Sequence, residues 1–254
     1  MPKIFIYGTV FNNGDYVQSS IRSIEKIKPY KIVICDNYSN DGTYEKILDL
    51  NRIFKNIVVF RAKTKRGLGR DLALKKLYSY ARDNDFCFYV DFDSIYTGEF
   101  IKKVKELIKQ RKDYVIYIGY GLGMLGSIKT NKLASWKNLN SGEDVERIAN
   151  FWEQGIEIKW VIPYNKYLVI NRDKDIRRFV DCEKKYGSLI RVFTFIVDSH
   201  RGMGFKRWNP DASSIYGTVI SYMAHFIALI RGIYYHDYFL DNREIQRIIE
   251  EGIK

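Results

Sequence analysis

Cysteine is scarce in this chain of 254 residues: there are three, Cys35, Cys87 and Cys182, and no two of them form a C-x-x-C pair. That excludes a disulfide framework and a zinc knuckle, and it is the usage expected of a reducing compartment. Cys35 and Cys87 sit inside apolar runs, where a thiol serves as a small buried hydrophobe, so neither is assigned any chemistry. Also missing are a G-x-x-x-x-G-K-[ST] phosphate loop, a recognised nucleic-acid-binding motif, internal repeats and low-complexity linkers. The opening MPKIFIYGTV is too short an apolar run for a secretory leader and has no cleavage-site pattern, so a cytoplasmic protein is expected. Residues 214–235 are largely apolar, but Ser221, His225 and Arg231 interrupt them, short of the roughly 20 predominantly apolar residues a spanning helix needs. The segment reads as a buried core helix, with peripheral contact to an anionic membrane as the alternative.

What is present in excess is positive charge. Lys and Arg number 42 against 30 Asp and Glu, a formal net charge of +12. Such a surface attracts anions: nucleic acid, an anionic membrane face or phosphorylated small molecules. With 46% hydrophobic residues the chain has enough apolar material for one large domain, or for a domain with a smaller extension.

Apolar, β-branched runs recur at 3–10 (KIFIYGTV), 31–36 (KIVICD), 56–61 (NIVVFR), 86–91 (FCFYVD) and 114–119 (YVIYIG), and each reads as a strand. Between them lie segments with helical spacing, such as Val17, Ile21, Ile24 and Ile27, or Leu72, Leu74, Leu77 and Tyr78. The alternation predicts an α/β fold, a mostly parallel Rossmann-like sheet flanked by helices. In such a sheet ligands bind beyond the carboxyl ends of the strands, where strand order reverses. Polar residues gather at those ends: Thr9, Asp36, Arg61 and Asp91. Further on, GYGLGMLGS (119–127) reads as a glycine-rich loop, 142–155 as a helix, 158–163 as a strand, and the chain from about 206 as a helical tail.

Three stretches carry chemistry. In YVDFDSIY (89–96) two carboxylates, Asp91 and Asp93, end an apolar run; a continuing strand would send both to one side. A divalent cation answers that repulsion, since Mg²⁺ and Mn²⁺ take carboxylate oxygens together with a ligand's phosphates. CDNYSNDGTYE (35–45) starts with an acid at a strand's end and passes through turn residues to Thr43, where a helix can begin. An acid placed like Asp36 can hold a ribose hydroxyl or a base N–H. KTKRGLGRDLALKKL (63–77) sets Lys63, Lys65, Arg66 and Arg70 around two glycines ahead of a helix, where backbone, helix N-terminus and arginine can all meet phosphate.

In this order and spacing, a first strand ending in a small polar residue, then CDNYSNDGT, RGLGRDLAL and YVDFDS, resemble the family 2 glycosyltransferases of the GT-A fold over about residues 3–155. The resemblance implies transfer of a sugar from a nucleotide diphosphate donor to an acceptor hydroxyl, with inversion and with Mn²⁺ or Mg²⁺. It implies that Thr9, Asp36, Arg66 or Arg70, and Asp91 bind the donor, and that Asp91 and Asp93 hold the metal. NSGEDVERIANFW (140–152) is similar to the family's later E-D motif, which makes Asp144 the general base, with Glu143 beside it. His200, in DSHRGMGF (198–205), is a further candidate metal ligand. The expected division is a catalytic domain over 1–205 and a C-terminal helical extension over 206–254.

The Q-x-x-R-W ending of processive members is absent, which disfavours a polymer synthase with a membrane channel. Ile95 stands where polyprenyl-phosphate sugar synthases place a polar residue, which weakens a lipid-phosphate acceptor. The acceptor, whether a glycan, lipid-linked or protein-linked, is not named by these residues. Competing readings are a sugar-phosphate nucleotidyltransferase, which shares the alternating architecture, an inactive nucleotide-sugar binder, and a nucleic-acid-binding protein. The last rests on charge and aromatic content alone, so no specific nucleic-acid partner is expected.

Overall fold

A strand covered on both faces is apolar at successive positions, and its alternate residues enter two different cores. The computed structural model, which describes residues 2–119, 121–139, 143–162 and 169–171, has this arrangement. In chain order the elements are β1 (Ile4–Val10), α1 (Val17–Glu25), β2 (Lys31–Asp36), α2 (Thr43–Phe54), β3 (Ile57–Arg61), α3 (Arg66–Tyr78), β4 (Phe86–Tyr89) and β5 (Ser94–Tyr96). They continue with α4 (Gly98–Gln110), β6 (Val115–Gly119), β7 (Leu122–Ser127), α5 (Ile128–Asn131), α6 (Glu143–Glu153), β8 (Glu157–Ile162) and β9 (Val169–Asn171).

Seven strands form one sheet in the order β3-β2-β1-β4-β7-β6-β8, while β5 and β9 pair as a separate antiparallel ribbon. β1, β2, β3 and β4 run parallel, and β6 and β8 are parallel to each other; β7 runs against both of its neighbours. Ile6, Ile32, Ile34 and Phe88 face one core with α1, α2 and α4, and the intervening Phe5, Tyr7, Val33, Cys35 and Cys87 face the other with α3, α5 and α6. The expected mostly parallel α/β sheet flanked by helices is therefore the observed fold. α4 shows the local logic: Phe100, Ile101, Val104, Leu107 and Ile108 make its buried stripe, and the Thr97 hydroxyl accepts from the Phe100 amide at its start. Cys35 and Cys87 are buried, and burial pushes their thiols up to about 11 and about 12.

Three expectations change. The segment read as a glycine-rich loop is mostly the buried strand β7. Its glycines disguise it, because glycine is depleted from strands, yet here they admit close neighbours. A Cβ on Gly123 would lie 2.4 Å from the Tyr89 carbonyl oxygen and 2.6 Å from the Tyr89 ring. The fourth strand stops at Tyr89, so Asp91 and Asp93 lie in the turn leading to β5 and not on a continuing strand. Gly67 and Gly69 are not a loop ahead of a helix but the first turn of α3. The expected helical tail over 206–254, its segment 214–235, the boundary at 205 and His200 all lie outside the described residues. Among the described residues no helix is long and apolar enough to cross a membrane.

Candidate functional site

After β3 the chain returns past β1 to form β4, so the order reverses between β1 and β4, the place where open α/β sheets take ligands beyond the carboxyl ends of their strands. On one side of it β2 and β3 pair with Asp36 beside Arg61. The Asp36 carboxylate is fully buried; it accepts from the Ser39 amide at 3.2 Å and from Arg61 Nε at 3.0 Å. Thr9, on β1, donates its hydroxyl to the Cys35 carbonyl at 2.9 Å. Gly69 explains how α3 comes so near: a Cβ there would sit 2.6 Å from Thr9 Oγ1.

On the other side stands the turn of Asp91, Phe92 and Asp93. Phe92 is buried, Asp91 is exposed and Asp93 is half-buried. Two neighbours hold this turn. Gly8 leaves room for the Phe92 ring, which a Cβ would approach to 2.8 Å, and Asn13 Nδ2 donates to the Phe92 carbonyl. Ser94 Oγ donates to Asp93 Oδ1 at 3.2 Å.

Arg70 joins the turn to the helix that carries Asp144. Its guanidinium is 2% exposed and donates from Nη2 to Asp91 Oδ1 and from Nη1 to Glu143 Oε1, each at 2.7 Å. It lies 4.1 Å from the Tyr89 ring centroid and 5.0 Å from that of Trp136. Burial alone would weaken the charge of Arg70, but Asp91 and Glu143 raise its pKa and keep it protonated. Glu143 is as deeply buried, and that burial raises its carboxyl above the ordinary range, with Arg70 and then Arg66 pulling the other way. Arg66 is more open, 37% exposed, with Nη1 at 3.7 Å from Glu143 Oε1. Asp144 follows Glu143 in the first turn of α6 and is partly exposed.

The structure thus brings Asp91, Arg70, Arg66 and Glu143 into one ion-paired group, with Asp144 next along the chain and Thr9 one packing layer away. Asp36 stands apart from that group, with Arg61. Two residues not singled out in the sequence help to seat α6. Arg147, one turn past Glu143, is fully buried among neutral acceptors: its Nη1 donates to Tyr7 Oη at 2.7 Å, its Nε to the Ala134 carbonyl at 3.0 Å and its Nη2 to Asn131 Oδ1 at 3.0 Å. Trp136 lies between Arg147 and Arg70, and its Nε1 donates to Tyr7 Oη at 3.2 Å. Arg147 falls at the i+4 position from Glu143, a spacing that looks like an ordinary solvent-facing pair.

Asp91 and Asp93 are oxygen donors on a turn open to solvent on one side. That suits Mg²⁺ or Mn²⁺, which one or two carboxylates hold together with substrate phosphates. Among the described residues no cluster of three or more such side chains forms a cage made by the protein alone.

Comparison with known proteins bears on the family and the fold. The family described as Glycosyl transferase family 2 matches residues 6–143. S. aureus TarS is similar in fold over 84% of this chain and 46% of its own, with a TM-score of 0.53 at 16% identity. The present chain therefore spans about half the length of that protein. A mannosyltransferase from Pyrobaculum calidifontis, PcManGT in complex with GDP-Man and Mn²⁺, matches 90% of this chain and 75% of its own, with a TM-score of 0.52 at 12% identity. Glucosyl-3-phosphoglycerate synthase from Mycobacterium tuberculosis, in complex with Mn²⁺ and UDP-glucose, covers 75% and 77%, with a TM-score of 0.51 at 13% identity. At these identities the likeness is one of fold. No curated protein matches significantly.

Proposed function

Since the chain belongs to glycosyl transferase family 2, we propose that it moves a sugar, with inversion, from a nucleotide diphosphate donor to an acceptor hydroxyl, and that the transfer depends on Mn²⁺ or Mg²⁺. The observation that carries this reading is the Asp91–Arg70–Glu143 bridge, which ties the acidic turn after β4 to the start of α6 at the strand-order reversal.

Asp91 and Asp93 would hold the cation, whose charge would offset the negative charge growing on the leaving diphosphate. Arg66, in the first turn of α3 and 37% exposed, would meet phosphate oxygens, and so takes the donor role weighed for either arginine. Arg70 is buried between two carboxylates and orients them. Asp144 accepts the proton of the acceptor hydroxyl as its oxygen bonds to the anomeric carbon and the bond from that carbon to the diphosphate breaks. The proton ends on Asp144 and the electron pair on the leaving phosphate, so no covalent enzyme intermediate is needed. Glu143 is buried against Arg70 and Arg66, whereas Asp144 is partly exposed, and that exposure supports Asp144 as the carboxylate an acceptor hydroxyl can reach.

The test is calorimetric titration with nucleoside diphosphates and nucleotide sugars, in Mn²⁺ and in EDTA, followed by a transfer assay. Asp93→Asn should weaken the metal-dependent binding, whereas Asp144→Asn should bind donor normally and lose transfer. Normal transfer by Asp144→Asn would overturn the assignment of the base, and release of pyrophosphate from a nucleoside triphosphate and a sugar phosphate would favour a nucleotidyltransferase.

A further inference from the structure

The proposed donor has a nucleoside, and the residues at the ends of β2 and β3 bear on which base it carries. We infer that Arg61, and not Asp36, meets the base, and that the site selects guanine over uracil and adenine. The inference rests on the nucleotide-sugar reading above.

Asp36 and Arg61 are register partners on parallel strands, so their side chains leave the sheet on the same side at its carboxyl end. What reaches the surface there is the arginine. Asp36 has no exposed area, and its oxygens receive the Ser39 amide and Arg61 Nε. Arg61 keeps 31% of its side chain exposed, with Nη2 bonded to the Ser39 carbonyl at 3.3 Å and paired with the exposed Glu45 at 3.5 Å. Its guanidinium lies 4.0 Å from the centroid of the Tyr44 ring and 5.9 Å from that of Tyr38. Tyr38 is 54% exposed and sits on a left-handed backbone, φ 56°. Two nearby side-chain oxygens are already engaged: the Thr9 hydroxyl donates to the Cys35 carbonyl, and Asn37 Oδ1 accepts from the Thr64 amide.

A base placed here meets a planar donor and aromatic faces, with the carboxylate sealed beneath. Uracil is distinguished by an N–H between two carbonyls and needs an acceptor; Asp36 is covered, and the exposed Glu45 is drawn to the same guanidinium. Guanine presents O6 and N7 side by side, two acceptors that match the N–H groups on the Nη1–Nη2 edge of the guanidinium, the edge away from the Nε that Asp36 holds. Adenine has an amino donor in place of O6 and can match one of them. Arg61 is on this account a specificity-determining residue.

The test is competitive calorimetry of the full chain in Mn²⁺ with GDP, UDP and ADP. GDP should bind at least about tenfold tighter than either of the others. Arg61→Lys keeps the charge but not the planar fork, so it should bring the ratio of GDP to UDP affinity close to one. Arg61→Ala uncovers Asp36 and should move the ratio further toward UDP. Each variant is read as a ratio within one preparation, so partial loss of folded protein cannot imitate the result. UDP binding as tight as GDP in the wild type, or an unchanged GDP preference in Arg61→Lys, would overturn the inference while leaving the nucleotide site intact. Failure of every nucleoside diphosphate to bind would overturn that site and this inference together.

Discussion

Arg70→Met would leave Glu143 buried with its principal counter-charge gone. In the wild type both side chains are 2% exposed and 2.7 Å apart, a geometry in which breaking the pair by removing one partner costs about 3–5 kcal/mol. Asp91 loses the same arginine but is half exposed, so water takes over and it adds little. The cost should depend on pH. Burial holds the folded-state pKa of Glu143 above its ordinary value near 4.5, so the folded chain retains a proton that the unfolded chain has released. The stabilisation from this group is complete below about pH 4.5 and is lost as pH rises through the folded-state value. Removing Arg70 removes the largest opposing influence and raises that value further, so more stability is lost as the solution turns alkaline. Urea unfolding followed by circular dichroism should show a larger deficit at alkaline than at acid pH, where the remaining loss is cation–π contact and packing. Adding Glu143→Gln should recover much of the alkaline deficit, since no buried charge is then left alone. A deficit independent of pH, or a double variant no more stable than Arg70→Met, would refute the reasoning.

Two further predictions concern how the site is seated. Gly67→Ala would set a Cβ 1.9 Å from the Lys137 carbonyl oxygen and 3.1 Å from Glu143 Cβ. Helix propensity would gain about 1 kcal/mol, but overpacking against backbone costs about 1–3 kcal/mol. Thermal melting should therefore show a net loss of stability, and a stabilised variant would contradict the packing. Asn13→Ala removes the donor that holds the Phe92 carbonyl between the two acids, and should weaken Mn²⁺-dependent nucleotide binding severalfold in calorimetry. Unchanged affinity would mean that the Asp91–Asp93 turn keeps its shape without that bond.

The strands before residue 120 were legible because each carries its own signal: β2 (KIVICD) is apolar along its length and ends in an acid, as a doubly covered parallel strand does. The helix bearing Glu143 and Asp144 was legible for a like reason, with acids in its first turn. β7 was not, because four of the residues in 119–127 are glycines and local propensity argues against a strand; the Tyr89 ring that demands Gly123 comes from another strand. The same is true of Gly67 and Gly69, whose reason lies in Lys137 and Thr9.

Sequence by itself determined the alternation of strand and helix, the two-sided burial of the sheet and the polar residues at its carboxyl ends. Those properties depend on neighbours two to four positions apart, whose relative directions any strand or helix already sets. Tertiary structure alone decided the pairings: Arg70 with Glu143, 73 positions away, Asp36 with Arg61 through strand register, and Arg147 with Tyr7 across 140 positions. A buried charge is tolerated only where partners converge on it, and that convergence depends on the order of strands in the sheet, which no local pattern encodes.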